Sequence, residues 1–112
     1  MKYYHDLFMS EELLPNKKKI IHKLEKNKVQ IEKYLVVLSK GSRNHLEIYN
    51  SVYLIQNVFD KDEMFIVGIT KDRQDAMQLV EKITQEVYDE TKGTDIKGYI
   101  LRKQQKYEEG NV

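Results

Sequence analysis

The apolar residues between positions 64 and 70 occupy both parities of a period-two pattern, which is the clearest strand signal in the chain. A strand that is apolar on both faces needs cover on both, so the pattern predicts an inner strand of a sheet. Gly68 interrupts the run and indicates either a bulge or a close approach of another backbone or a ligand. Packing is the simpler of these explanations, and we expect it here.

A helical stripe follows directly, because apolar residues recur at steps of three and four between positions 73 and 91. Asp72 stands where an N-cap is needed, and its carboxylate can accept a hydrogen bond from the N–H group of Gln74 or Asp75. Gly93 stands where a left-handed residue would end the helix. These positions predict that the longest helix of the protein begins right after the inner strand.

Two more strands are predicted at about residues 33–39 and 46–51. The first is apolar on both faces, whereas in the second Leu46 and Ile48 alternate with more polar residues, as in an edge strand. The segment between them contains Gly, Ser and Asn, which is typical of a hairpin loop. A spatial order of second, first and third strand would place the two strands that are apolar on both faces side by side.

Helices are predicted on both sides of Pro15, which a helix cannot cross without a kink. The apolar residues near the N-terminus fit one face of a helix over about 3–13, and Asn16 would cap a second helix over about 16–28. Another short helix is expected after Asp95.

Residues 52–59 fit either a strand or two helical turns, and we favour the helix because a polar turn then leads into the inner strand. Residues 108–112 are expected to fray. The fold class predicted for residues 1–112 is therefore α+β, a single domain in which helices cover a three-stranded mixed sheet.

The composition excludes several kinds of chemistry. The chain has no cysteine, so disulfides, thiolate catalysis and cysteine metal sites are excluded. No apolar run approaches the roughly 18 residues of a membrane span, and the first residues lack the apolar segment of a signal peptide. We therefore expect a cytoplasmic protein with no membrane contact.

Charge is distributed unevenly along the chain. Residues 15–45 contain nine Lys or Arg and two Glu, a net charge of +7, whereas residues 57–95 contain five Lys or Arg and ten Asp or Glu, a net charge of −5. A basic surface of this kind can contact phosphates, but lysine-rich faces also serve only to keep a protein solvated. The possible nucleic-acid or phosphate contacts are Lys17, Lys18, Lys19, Lys23, Lys26, Lys40 and Arg43.

No catalytic, cofactor or metal site is predicted from residue spacing. The three histidines have neither the i, i+4 spacing nor the neighbouring carboxylates of zinc sites. The acidic residues 60–63 do not continue as an EF-hand loop. Thr70 lies at the strand-to-helix junction, where a nucleophile is often found, but no base lies near it in sequence.

Tyrosine is abundant, with eight residues and no tryptophan. Its amphipathic side chain suits protein interfaces, although buried tyrosines would explain the same count. The possible interface residues are Tyr3, Tyr4, Tyr49 and Tyr53.

The leading hypothesis is a non-enzymatic protein-interaction or regulatory module, most simply a homodimer. It would contact its partner through the edge strand or the N-terminal helices. The alternative is a nucleic-acid-binding protein that uses the basic segment 17–43. A third hypothesis is an enzyme whose residues converge only in the fold.

Overall fold

The computed structural model describes residues 1–26, 32–41, 45–52 and 63–110. It confirms the predicted α+β class, with four strands and three α-helices among these residues. The strands are β1 (Lys2–Met9), β2 (Tyr34–Leu38), β3 (Leu46–Asn50) and β4 (Phe65–Thr70). The helices are α1 (Lys17–Glu25), α2 (Arg73–Thr91) and α3 (Ile96–Glu108), and a 3₁₀ helix (Glu11–Asn16) leads into α1.

The four strands form one mixed sheet in the order β1-β4-β2-β3. β2 is antiparallel to both β3 and β4, and β1 is parallel to β4. The predicted order of three strands is thus confirmed for β3, β2 and β4. The sheet has a fourth strand because β1 is added outside β4.

The predicted helix over residues 3–13 is wrong, because residues 2–9 form β1. Tyr3, Leu7 and Met9 contact the core on one face of the sheet, and Tyr4 and Phe8 contact the core on the other. Apolar residues at i, i+1, i+4 and i+5 lie together on one face of a helix. In a strand the same residues divide between the two faces, i and i+4 on one and i+1 and i+5 on the other. The partner strand, β4, decides between them, and it lies some 60 residues away along the chain.

Gly68 marks a bulge in β4. Val36 of β2 pairs with Gly68, but the next residue, Val37, pairs with Ile66, so the ladder skips Val67. An ideal Cβ at Gly68 would lie 2.4 Å from Cδ2 of Leu79 in α2. The glycine therefore allows α2 to approach the sheet, and the packing explanation is confirmed.

The sheet has a core on each face. The 3₁₀ helix and α1 cover one face, where they pack on the buried residues Leu35, Val37, Ile66 and Ile69 of the sheet and on Met64, which precedes β4. α2 and α3 cover the other face, and their buried partners are Tyr4, Leu38 and Val67. All of Leu35–Leu38 and Ile66–Thr70 are buried, as predicted for inner strands.

The helix ends follow the predicted residues closely but not completely. Asp72 caps α2, and its carboxylate accepts from the N–H group of Asp75 at 2.7 Å. The left-handed residue after α2 is Lys92, with φ of 59°, rather than Gly93. α1 begins after Asn16, whose side chain makes no capping hydrogen bond. Residues 53–59 and 111–112 lie outside the described residues.

Candidate interaction surfaces

Two of the three histidines make contacts within the fold, whereas His22 is exposed on α1. His5 lies on β1, where its ring stacks on Tyr107 of α3 with the centroids 4.5 Å apart. Nδ1 of His45 accepts from the N–H group of Lys97 at 3.2 Å, at the start of α3. In the part of the chain that is described, no group of three His, Asp or Glu could hold a metal ion. The acidic residues 60–62 lie outside the described residues.

A crevice of about 210 Å³ opens at the ends of β1 and β4, beside α2. Sequence spacing did not predict it, because it joins Ser10 to Asp75, 65 residues away. The Ser10 hydroxyl donates to the Asp75 carboxylate and accepts from the backbone N–H of Lys71 at 3.0 Å. The Thr70 hydroxyl donates to the Tyr34 carbonyl at 3.0 Å.

These polar groups satisfy one another, and no imidazole lines the crevice. The Lys71 ammonium is 3.3 Å from Glu12, and the hydrogen bond to that carboxylate raises the pKa of Lys71. Together, the hydrogen bonds of Ser10 to Asp75 and to Lys71 join the end of β1 to the start of α2. We therefore assign the cluster a structural role.

The predicted basic contacts do not form one surface. Lys17, Lys18 and Lys19 are exposed around a shallow depression of about 480 Å³, together with Leu14 and Pro15. Lys26 is exposed, and Lys23 is partly buried.

Lys40 lies at the opposite end of the sheet, because it follows β2, which runs antiparallel to β4. It donates to Glu63 at 2.7 Å, and this contact lowers the pKa of that carboxyl. Arg43 lies outside the described residues. Of the predicted contacts in the described ranges, the lysines at positions 17–19 form a compact basic group, which we call the lysine triplet.

The predicted interface tyrosines lie in different environments. Tyr4 is only 5% exposed, and burial raises its pKa to about 12. Tyr3 is partly buried beneath α1, where burial and then the charge of Glu25 raise its pKa.

Tyr49 lies on β3, with its ring against the α1-side core. Its hydroxyl donates to Glu47, which raises the pKa of Tyr49 to about 12. Tyr53 lies outside the described residues.

α3 contacts the outer edge of β1 at His5. The backbone N–H of His5 donates to Oε1 of Gln104 at 2.8 Å, and Nδ1 of the same histidine is 3.2 Å from that oxygen. α3 is itself held to α2, since the hydroxyl of Tyr99 donates to Glu90 at 2.6 Å. Covering an edge with a helix is one way in which proteins prevent further strand pairing.

The outer edge of β3 has no such cover among the described residues. The backbone N–H of Ser39 donates to the carbonyl of His45, and the backbone N–H of Ser51 donates to the carbonyl of Lys33. Because hydrogen-bonded pairs alternate along an antiparallel ladder, the odd-numbered residues of β3 bond to β2. The N–H and C=O groups of Leu46, Ile48 and Asn50 therefore point away from the sheet.

Comparison with known proteins gives no family for this chain. No protein-family model matches it, no curated protein matches its sequence, and no solved structure matches it. Of the helices in the described ranges, none is long and apolar enough to cross a membrane.

Proposed function

We propose that this chain is a cytoplasmic, non-enzymatic protein-interaction module that binds its partner by adding a strand to the outer edge of β3. The observation that carries the proposal is the difference between the two edges of the sheet. α3 contacts the backbone of β1 through Gln104, whereas in β3 the backbone groups of three alternate residues face outward and no described residue covers them. An extended segment could bond to all of them.

The side chains of β3 suit this role. Ile48 and Leu46 project on the α2 side, and Glu47 and Tyr49 project on the α1 side, so an added strand would meet an apolar face and a polar face. Main-chain bonds supply affinity in strand addition, and the alternating side chains supply specificity.

Substitution of Ile48 tests the proposal. Ile48→Pro removes an N–H group that points away from β2, so the internal ladder stays complete while the edge loses its central donor. Ile48→Lys adds a charge of the kind that protects natural edges. In affinity capture from a lysate of the native cells, we expect both variants to lose the partner that the wild-type chain retains.

The control is Gln105→Lys, an exposed substitution on α3, which should capture the partner normally. Thermal unfolding shows whether each variant is folded. If folded Ile48→Pro and Ile48→Lys proteins still capture every partner of the wild type, the edge of β3 is not the binding surface.

The lysine triplet supports a second candidate function, the binding of nucleic acid phosphates. All three lysines are exposed at the start of one helix. The triple variant K17E/K18E/K19E should then weaken binding to every sequence tested and flatten its dependence on salt.

The matched control for this variant is Lys40→Glu, which reverses one lysine at the far end of the sheet and should leave affinity unchanged. Single-stranded and double-stranded probes measured by fluorescence anisotropy at two salt concentrations would decide. Equal affinity of the wild type and the triple variant would eliminate this function.

A further inference from the structure

We infer that the strand added to β3 is β3 of a second copy. The two strands pair antiparallel about a two-fold axis that passes between the two facing Ile48 residues. This inference rests on the proposed function, because it takes the outer edge of β3 as the interaction surface. Two identical antiparallel strands are related by a two-fold axis perpendicular to the sheet. The contact is therefore isologous and closes at two copies.

The outward-facing groups determine the register. Only a pairing centred on Ile48 brings all three outward-facing residues of each copy into the ladder, with Ile48 opposite Ile48 and Leu46 opposite Asn50. These are hydrogen-bonded pairs, in which both residues exchange N–H and C=O bonds. The two sheets would then join into one sheet of eight strands.

The side chains are self-complementary in this register. Glu47 lies opposite Tyr49 of the second copy, so the one hydroxyl proton of Tyr49, donated to Glu47 of its own chain in the monomer, can be donated to Glu47 of the second copy instead. On the other face, Ile48 meets Ile48. Opposed apolar pairs and donor–acceptor pairs of this kind stabilise antiparallel strands.

The neighbouring registers are less favourable. A pairing centred on Glu47 places two carboxylates opposite each other, which is destabilising. A pairing centred on Tyr49 leaves the outward groups of Leu46 without a partner in the ladder. The chemistry of the strand thus selects the register centred on Ile48.

Apolar side chains beside the edge extend the surface. Met77 and Tyr88 of α2 are half exposed, at 51% and 50%. Glu90 marks the flank of α2 that contacts α3. Helical spacing places Met77 and Tyr88 on the opposite flank. α2 also contacts β3. They therefore lie on the side of α2 that faces the open edge, where a second copy would cover them.

Cysteine cross-linking tests the pairing, because the chain has no native cysteine. Cα atoms in a hydrogen-bonded antiparallel pair are about 5.5 Å apart, within the range of about 4.4–6.8 Å that a disulfide spans. Mild oxidation of the full-length Ile48→Cys variant should give a covalent dimer. Gln105→Cys, on the exposed side of α3, should remain monomeric.

The register is tested by mixing two variants. Leu46→Cys and Asn50→Cys should cross-link to each other when mixed, and neither should cross-link alone. In a dimer of either variant alone, the two cysteines would lie about 14 Å apart, because they are offset by four residues at roughly 3.4 Å per residue. Cross-linking of Leu46→Cys alone, or none in the mixture, would overturn this register.

Amide exchange of the wild-type chain separates the failure of this inference from the failure of the proposed function. We expect the N–H groups of Leu46, Ile48 and Asn50 to be unprotected in dilute protein and to gain protection as concentration rises. If they stay unprotected at every concentration and no dimer cross-links, self-pairing is overturned and the edge remains open to another partner. If they are protected even in dilute monomer, the edge is occupied within the chain, and both proposals fail.

Discussion

Several tyrosine hydroxyls of this protein ionise less readily than a free tyrosine, for two different physical reasons. Burial raises the pKa of Tyr4 to about 12, against the opposing charge of Lys103. A hydrogen bond to Glu47 raises the pKa of Tyr49 to the same value. Burial, and then the bond to Glu90, raise the pKa of Tyr99.

These shifts predict a loss of stability in alkali. A tyrosine with a raised pKa in the folded state contributes stability that is complete below pH 10 and is lost as the pH rises towards 12. For Tyr4 the loss would be about 2–3 kcal/mol, at roughly 1.4 kcal/mol per unit of pKa. Denaturant unfolding at pH 8 and pH 11.5 should show a smaller loss for Tyr4→Phe than for the wild type. An equal loss in both proteins would contradict this assignment.

Gly68 gives a second prediction at the scale of one residue. A Cβ at this position would collide with Leu79, so Gly68→Ala should reduce the free energy of unfolding by about 1–3 kcal/mol, as overpacked cores do. In the Leu79→Ala background the colliding carbon is absent, and Gly68→Ala should cost less. A double-mutant cycle measured by denaturant unfolding checks the coupling. Additive effects of the two substitutions would show that the collision is not the cause.

At the scale of elements, local sequence patterns predicted the elements whose packing or pairing partners are close in sequence. β4 and α2 are consecutive, and β2 and β3 form a hairpin pairing, so their apolar periods and the Asp72 cap were sufficient. The sequence also predicted that β3 is an edge strand, because Leu46 and Ile48 alternate with polar residues. These strands and α2 are the part of the fold that the sequence predicts well.

Contacts between distant residues could not be predicted in the same way. β1 acquires its conformation from β4, and its outer edge is covered by Gln104, 99 residues further along the chain. The edge of β3, which no described residue covers, is informative because α3 contacts the edge of β1. The candidate site was therefore half predictable: the sequence indicates an edge strand, and only the fold shows how it differs from β1.

The cover on β1 can be tested directly. Gln104→Ala removes the acceptor of the His5 N–H group, so exchange of that amide should accelerate and stability should fall by about 1 kcal/mol. The neighbouring Gln105 is exposed, and Gln105→Ala should change neither quantity. Amide exchange followed by NMR resolves the His5 signal. Unchanged protection of His5 in Gln104→Ala would mean that α3 does not cover the edge through this bond.

At the scale of the whole molecule, the lysine triplet and the acidic residues of α2 lie on opposite faces of the sheet. α1, which contains the lysine triplet, covers one face of the sheet, and α2, with Glu81, Glu86 and Glu90, covers the other. Contact between the basic face of one copy and the acidic face of another would be head-to-tail and would not close at two copies. Edge pairing instead places the two α1 helices on the same side of a joined sheet.

The two modes of association differ in their response to salt. The β3 edge carries one charged residue, Glu47, so edge pairing should be nearly independent of ionic strength. Association between oppositely charged faces should weaken as screening increases. Sedimentation velocity at 50 and 500 mM salt should give the same dimer fraction. A fraction that falls steeply with salt would favour contact between faces.

The central position of β4 also determines when the protein can fold during its synthesis. β4 pairs with both β1 and β2, yet it comes after both of them in the chain. Until residue 70 has left the ribosome, β1 has no partner strand, and the apolar side chains on both faces of β2 lack the neighbour that they pack beside. Pairings of this sequence separation form slowly and leave apolar strands exposed meanwhile. The nascent chain therefore exposes apolar strand residues until β4 emerges, and we expect a chain that ends before β4 to aggregate rather than fold.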